Sequence, residues 1–164
     1  MQVSTDSALG ARIDSLSSIF TPRSVAVVGA SDTPTKIGGI PVDFLKRFGY
    51  EGAIYPVNPK PGLVQGLPSF STLQAIGAPV DLAIFAIPAN LVPAALDDAI
   101  AAGVRGVVLF SSGFAEVDDE GARLQAQLGA RARAGGVRLL GPNCLGAINP
   151  AHKVYASFTP TPNA

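Results

Sequence analysis

Val25 to Gly39 reads VAVVGASDTPTKIGG. An apolar run breaks at Gly29 and gives way to small and polar residues that lead to a pair of glycines. This is how a phosphate- or nucleotide-binding βα turn begins. Gly29 lets the backbone turn sharply out of a strand, and Ala30 keeps the surface low. Ser31, Asp32, Thr33 and Pro34 then form a loop whose backbone N–H groups can face an anion. A helix beginning near Gly38 adds its positive end, and Lys36 is in range to add a charge. The spacing is neither G-x-G-x-x-G nor G-x-x-x-x-G-K-[ST], because the next glycines come nine and ten residues after Gly29.

A second chemical signal lies at Val57-Asn58-Pro59-Lys60-Pro61-Gly62. An NAD-preferring dinucleotide fold places Asp or Glu at the end of its second strand, to accept from the ribose hydroxyls. Here Asn58 and Lys60 stand instead. A lysine suits a phosphate and is a poor partner for a neutral diol. Coenzyme A, with its 3′-phosphate, and NADP both qualify; the plain alternative is a solvated turn lysine.

These residues need elements to carry them. Four short apolar runs without alternation read as strands covered on both faces: Ser24–Ala30, Asp81–Pro88, Arg105–Ser112 and Val137–Asn143. Gly52–Pro59 is a shorter fifth. Helical periodicity lies between them. Ile40–Phe48 ends at Gly49, and Ser71–Ile76 is a short helix capped by Gly77. Leu91, Val92, Ala95, Leu96, Ala99 and Ile100 form one apolar face, and Asp118–Ala134 ends at a glycine pair. Strands alternating with helices predict an α/β fold, a Rossmann-like, doubly wound parallel sheet with helices on both faces. The expected strand order is 3-2-1-4-5, with the switch point between the first and fourth strands. Residues 1–20 read as an N-terminal arm with a helix over Ala8–Phe20. Residues 21–150 form the domain, and 151–164 read as a tail or linker to a following domain.

In such a sheet, ligands sit at the carboxyl ends of the strands. Those ends read GASD, VNPKPG, IPAN, SSGF and GPNC. Each alone is ordinary turn chemistry; their convergence on one edge marks a site. Glu116, Asp118 and Asp119 read as the acidic start of a helix. Cys144 reads as a packing residue, since no histidine is evidently placed to activate it.

Composition excludes other classes. The chain has 164 residues, with 12 basic and 12 acidic side chains and zero formal net charge, so no global field favours nucleic acid or an anionic membrane. The apolar runs are too short and too interrupted to span a bilayer. One cysteine permits no intrachain disulfide, and the N-terminus lacks a signal-peptide pattern, both in keeping with the cytoplasm.

The succession GASD…KIGG, PVNPK, FAIPAN, LFSSGFAE and GPNCLGAINP resembles the N-terminal CoA-binding domain of NDP-forming acyl-CoA synthetases, relatives of the succinyl-CoA synthetase α-subunit. The resemblance runs from about residue 9 to 158, and GPNCLGAINP (Gly141–Pro150) is its most specific piece. It implies a Rossmann-like domain holding CoA. Ser31, Asp32, Thr33 and Pro34 would meet the phosphates, and Lys60 the phosphate-bearing adenosine end. Ile87, Pro88, Phe110, Ser111 and Ser112 would flank the pantetheine, with Asn143 and Cys144 toward the thiol. With Gly29, Lys36 and Asn58 these complete the candidate site; no residue is assigned to catalysis or to a metal.

The same resemblance implies a division of labour. The parent ligase would make acyl-CoA from a carboxylic acid, CoA and a nucleoside triphosphate. The route runs through an acyl phosphate and a phosphohistidine on a following succinyl-CoA-ligase-like domain. ATP and Mg would sit in an ATP-grasp module. His152 does not match the phosphorylated position, and the chain carries no Walker-type loop. The chain therefore reads as a CoA-binding piece of a ligase, not itself catalytic. The alternatives are a free-standing CoA-binding module or the CoA-binding part of a protein acetyltransferase, and last an NADP-dependent dehydrogenase fragment.

Overall fold

The computed structural model describes residues 16–159. Residues 16–20 are helical, and the rest of the predicted Ala8–Phe20 helix lies outside the described residues. The elements then follow as β1 (Ser24–Val28), α1 (Ile40–Arg47), β2 (Ala53–Val57), β3 (Leu63–Val64), β4 (Leu67–Pro68) and β5 (Leu82–Phe85). After these come α2 (Val92–Ala101), β6 (Gly106–Leu109), α3 (Asp119–Ala134), β7 (Arg138–Leu140), β8 (Gly146–Asn149) and β9 (Val154–Ser157).

The local signals account for these bounds. Pro41 sits in the first turn of α1, where its missing N–H is not needed, with Asp43 near the start and Lys46 and Arg47 in the last turn. Asp118 is the N-cap of α3; its carboxylate accepts from Gly121 N at 2.8 Å, and Asp119 and Glu120 follow in the first turn. Gly77 closes a single 3₁₀ turn, Gln74–Ile76, in the left-handed conformation, so the predicted 71–76 helix is shorter than expected.

β2, β1, β5, β6 and β7 form a five-stranded parallel sheet in that spatial order. Numbered as the five predicted strands, the order is 2-1-3-4-5, not the expected 3-2-1-4-5. The reason lies in β2 and β5. β2 contains Pro56, which cannot donate to a ladder and suits an edge. Among the described residues, its outer side carries only an isolated bridge from Val57 to Phe70. β5, LAIF, is buried at all four positions and belongs in the centre. The switch point therefore falls between β1 and β5, one strand nearer than expected.

Period-2 alternation divides the sheet between two cores. Ala26, Ala83, Phe85, Val107 and Leu109 face α2 and α3, joined by Leu96, Phe114 and Leu128. Val25, Val27, Leu82, Ile84 and Val108 face the other side, packed with Val42 and Leu45 of α1. That second face is finished by Ala147, Val154 and Ala156 of the antiparallel β8–β9 hairpin. Residues 154–157, expected within a linker, are thus a buried strand. Each fully buried Val, Leu or Phe side chain here contributes about 1.5–3 kcal/mol relative to exposure.

Candidate functional site at the carboxyl edge

The switch-point crevice opens where Gly29 leaves β1 beside Ala86 and Ile87, which follow β5. Gly29 has φ +83°, and a Cβ there would lie 2.4 Å from the Ala86 carbonyl oxygen and 2.8 Å from Ile87 Cγ2. Only glycine lets the two strand ends approach so closely. The following loop folds back on itself. Ser31 N donates to Gly38 O at 3.2 Å, Lys36 N to Thr33 O at 3.1 Å and Gly39 N to Lys36 O at 2.7 Å. Thr33 N donates to Ser31 Oγ at 3.2 Å. A Cβ on Gly38 would stand 2.0 Å from Gly29 O. The glycine pair Gly38-Gly39 is thus needed for loop closure. Among the described residues, the N–H groups of Asp32, Thr35, Ile37 and Gly38 find no protein acceptor. They are the free donors an anion could use.

The strand-end loops then touch one another in succession across the edge. Asn58 Nδ2 donates to Ala30 O at 2.9 Å, which ties the β2 tip to the β1 loop. Asn58 Oδ1 accepts from Lys60 N at 2.9 Å and so shapes the turn that carries the exposed Lys60. Gly29 meets Ala86. Ser111 Oγ donates to Ile87 O, joining the tips of β6 and β5. Asn143 N donates to Ser111 O at 2.9 Å, joining the loop after β7 to the β6 tip. Cys144 Sγ lies 3.4 Å from Leu109 O and 3.6 Å from Leu140 O, half-buried. Burial pushes its thiol above the ordinary range, which opposes nucleophilic use.

A groove of about 340 Å³ runs along this edge, lined by Ile87, Pro88, Phe110, Ser111 and Ser112. These are the five residues expected to flank an extended apolar chain. Ile37, Ala86, Ala89 and Phe158 join them, none of which sequence reasoning selected. Phe158 packs edge-on against Phe110 with ring centroids 4.7 Å apart. Ile37 is 54% exposed, an apolar side chain standing in a polar loop. A larger groove of about 780 Å³ runs between α3 and β7. It reaches the carboxyl edge at Ala115, Gly141 and Pro142, away from the tips of β1, β2 and β5, so the smaller groove fits the convergent loops better.

Three expected residues are occupied in other ways. Asp32 Oδ1 accepts from Gln65 N at 2.6 Å, so this carboxylate braces the loop. Asn58 uses both ends of its amide within the protein, as above. Glu116, read as part of a helix start, instead accepts from Gly113 N at 2.6 Å and Phe114 N at 3.2 Å. Those backbone bonds, Gly113 first, hold its carboxyl below the ordinary range. His152 lies on the opposite edge, exposed, with Nδ1 3.1 Å from Asn149 Nδ2.

Residues 23–150 match the family described as the CoA binding domain. The chain belongs to that family. It is 41% identical over 151 residues to the α-subunit of acetate–CoA ligase [ADP-forming] I from Pyrococcus furiosus, a match covering 90% of this chain and 33% of that subunit. It is 36% identical over 143 residues to a trans-feruloyl-CoA synthase from an unknown prokaryotic organism, covering 87% of this chain and 20% of that protein. Among solved structures, the ADP- and phosphate-bound acetyl-coenzyme A synthetase 1 of Ca. Korarchaeum cryptofilum superposes with a TM-score of 0.85 at 35% identity. That match covers 90% of this chain and 31% of that one. This CoA-binding domain thus corresponds to the CoA-binding part of ADP-forming acetate–CoA ligases and spans about a third of their α-subunit. No helix among the described residues is long and apolar enough to cross a membrane.

Proposed function

We propose that this chain supplies the CoA site of an NDP-forming, most simply ADP-forming, acid–CoA ligase. The observation that carries the reading is the unbroken succession of contacts from Asn58 through Ala30, Gly29, Ala86, Ile87 and Ser111 to Asn143. It builds one continuous floor along the carboxyl edge. A closed, glycine-lined anion loop and Lys60 stand at one end, and an apolar groove at the other. CoA has that layout: a phosphate-bearing nucleotide, a pyrophosphate and a long pantetheine arm.

In this reading the 29–39 loop and Lys36 take the pyrophosphate, and Lys60 takes the 3′-phosphate. Ile37, Ile87, Pro88, Phe110 and Phe158 exclude water along the arm, while Ser111 and Ser112 border it. Asn143 shapes the thiol end, where Cys144 packs without reacting. The acid, ATP with Mg, the acyl phosphate and the phosphohistidine belong to succinyl-CoA-ligase-like and ATP-grasp domains of a parent protein acting in the cytoplasm. Those parts also choose the acid. What supports this division is that relatives named for acetate and for ferulate are both similar to this chain, at 41% and 36% identity.

Isothermal titration with CoA, dephospho-CoA and NADP tests the reading. We expect CoA to bind, dephospho-CoA to bind more weakly and NADP to stay silent. Binding of NADP alone would replace the reading with a dehydrogenase fragment.

A further inference from the structure

Residues 64–67 join β3 to β4 through a two-residue turn, Gln65-Gly66, with φ +50° and +81°. Both central residues left-handed is the type I′ hairpin geometry, which Asn-Gly or Asp-Gly fills at least conformational cost. Glutamine is neither, so its longer side chain has to be explained by what it reaches. Gln65 Nε2 donates to Ser31 O at 3.1 Å and to Gly39 O at 2.9 Å, carbonyls at the two ends of the anion loop. Its N–H donates to Asp32 Oδ1, and its carbonyl accepts from Lys46 Nζ on α1. One residue of a distant hairpin is thereby fastened to both ends of the loop and to the helix that follows it.

We propose that Gln65 is a positioning residue: its side-chain amide pins the 31–39 loop in its closed shape before an anion arrives. A neutral –NH₂ group brings two donors to two carbonyls, which a carboxylate cannot do and a hydroxyl can do only once. Holding the loop beforehand removes its ordering cost from binding. The inference rests on the reading of this loop as the CoA phosphate cradle.

Gln65→Asn is the decisive variant. Asparagine suits the I′ turn better, but one methylene fewer leaves the carbonyls out of joint reach. We expect an unchanged or higher melting temperature and faster amide exchange at Ser31 and Gly39. CoA affinity should fall about tenfold, while pantetheine, which lacks the phosphates, changes less than about twofold. Gln65→Met, matched in length but without donors, should repeat the loss. Unaltered exchange in both variants overturns the clamp, whatever the ligand. Faster exchange with unchanged CoA affinity overturns it as well. Should the parent chain bind no CoA, the ligand reading falls, and the exchange rates still decide whether Gln65 holds the loop.

Discussion

The two edges of the sheet solve the same problem in opposite ways. At the amino edge, Asp81 is buried and accepts from Arg23 N at 2.8 Å, Arg23 Nε at 3.3 Å and Arg105 Nη2 at 2.5 Å. Lys153 pairs with Glu51, and Tyr50 Oη donates to Pro22 O at 2.8 Å. Here the charged side chains find their partners within the protein. At the carboxyl edge the strands end in glycine, proline, serine and asparagine, and neutral amides, hydroxyls and backbone groups tie the loops together. Several N–H groups are left over. Charge that cancels internally makes a foundation; backbone polarity left uncancelled makes a site.

The comparison breaks most sharply at Gly38. Gly38→Ala brings a Cβ to 2.0 Å from Gly29 O, in a contact between two backbone segments that have little room to give. The substitution should cost about 1–3 kcal/mol of stability as overpacking. It should also lower CoA affinity roughly a hundredfold, because the loop can no longer close. Calorimetry with a parallel melt checks both. Full affinity in a folded variant would mean that loop closure is irrelevant to the ligand.

Asp81→Ala should do the reverse, harming the fold and sparing the site. Three hydrogen bonds disappear, but the two arginine side chains, 83% and 56% exposed, return to water. That keeps the expected cost to about 2–3 kcal/mol. CoA affinity should stay within about twofold. The pH dependence has a definite sign. Burial alone would raise the Asp81 carboxyl, yet the bonds from Arg23 and Arg105 outweigh it and hold the group below its ordinary value. Its stabilisation is therefore present above the unfolded carboxylate pKa of about 3.9 and is lost as pH falls through the lower folded value. Asp81→Asn should flatten that acid limb in urea titrations; an unchanged limb would remove Asp81 from the account.

The same contrast explains what the sequence could reveal. Buried parallel strands announce themselves as apolar runs, so all five were legible, and strand-end residues followed from them. Strand order was misjudged although Pro56 already argued for an edge. Asn58 and Asp32 were found by type and position, but their service as internal braces depends on partners far along the chain, Ala30 and Gln65. Gln65, Ile37 and Phe158 gave little signal because nothing local marks them. Gln65 acts through a hairpin of two-residue strands, and Phe158 follows β9, whose burial against α1 is a tertiary fact.

Lys60 sharpens the comparison within the carboxyl edge. Nothing in the fold depends on its exposed ammonium; the turn beneath is held by Asn58 Oδ1. Lys60→Ala should leave the melting temperature unchanged and weaken CoA about tenfold, with dephospho-CoA affected less than about twofold. The difference should shrink with salt, as befits an exposed charge pair. Equal losses for both ligands would sink the 3′-phosphate assignment.

Cys144 carries the smallest expected effect and is the finest test. It belongs to the carboxyl edge by position but behaves like the foundation, half-buried against Leu109 and Leu140 carbonyls. Because burial raises its thiol, the thiolate should form only above the ordinary cysteine range, and alkylation by iodoacetamide at neutral pH should be slow. Cys144→Ser keeps a small donor in the same place, so CoA affinity should change less than about twofold. A large loss, or fast alkylation that CoA blocks, would move Cys144 from packing into contact with the ligand. The division between a closed foundation and an open site would then have to be drawn one residue further along the loop after β7.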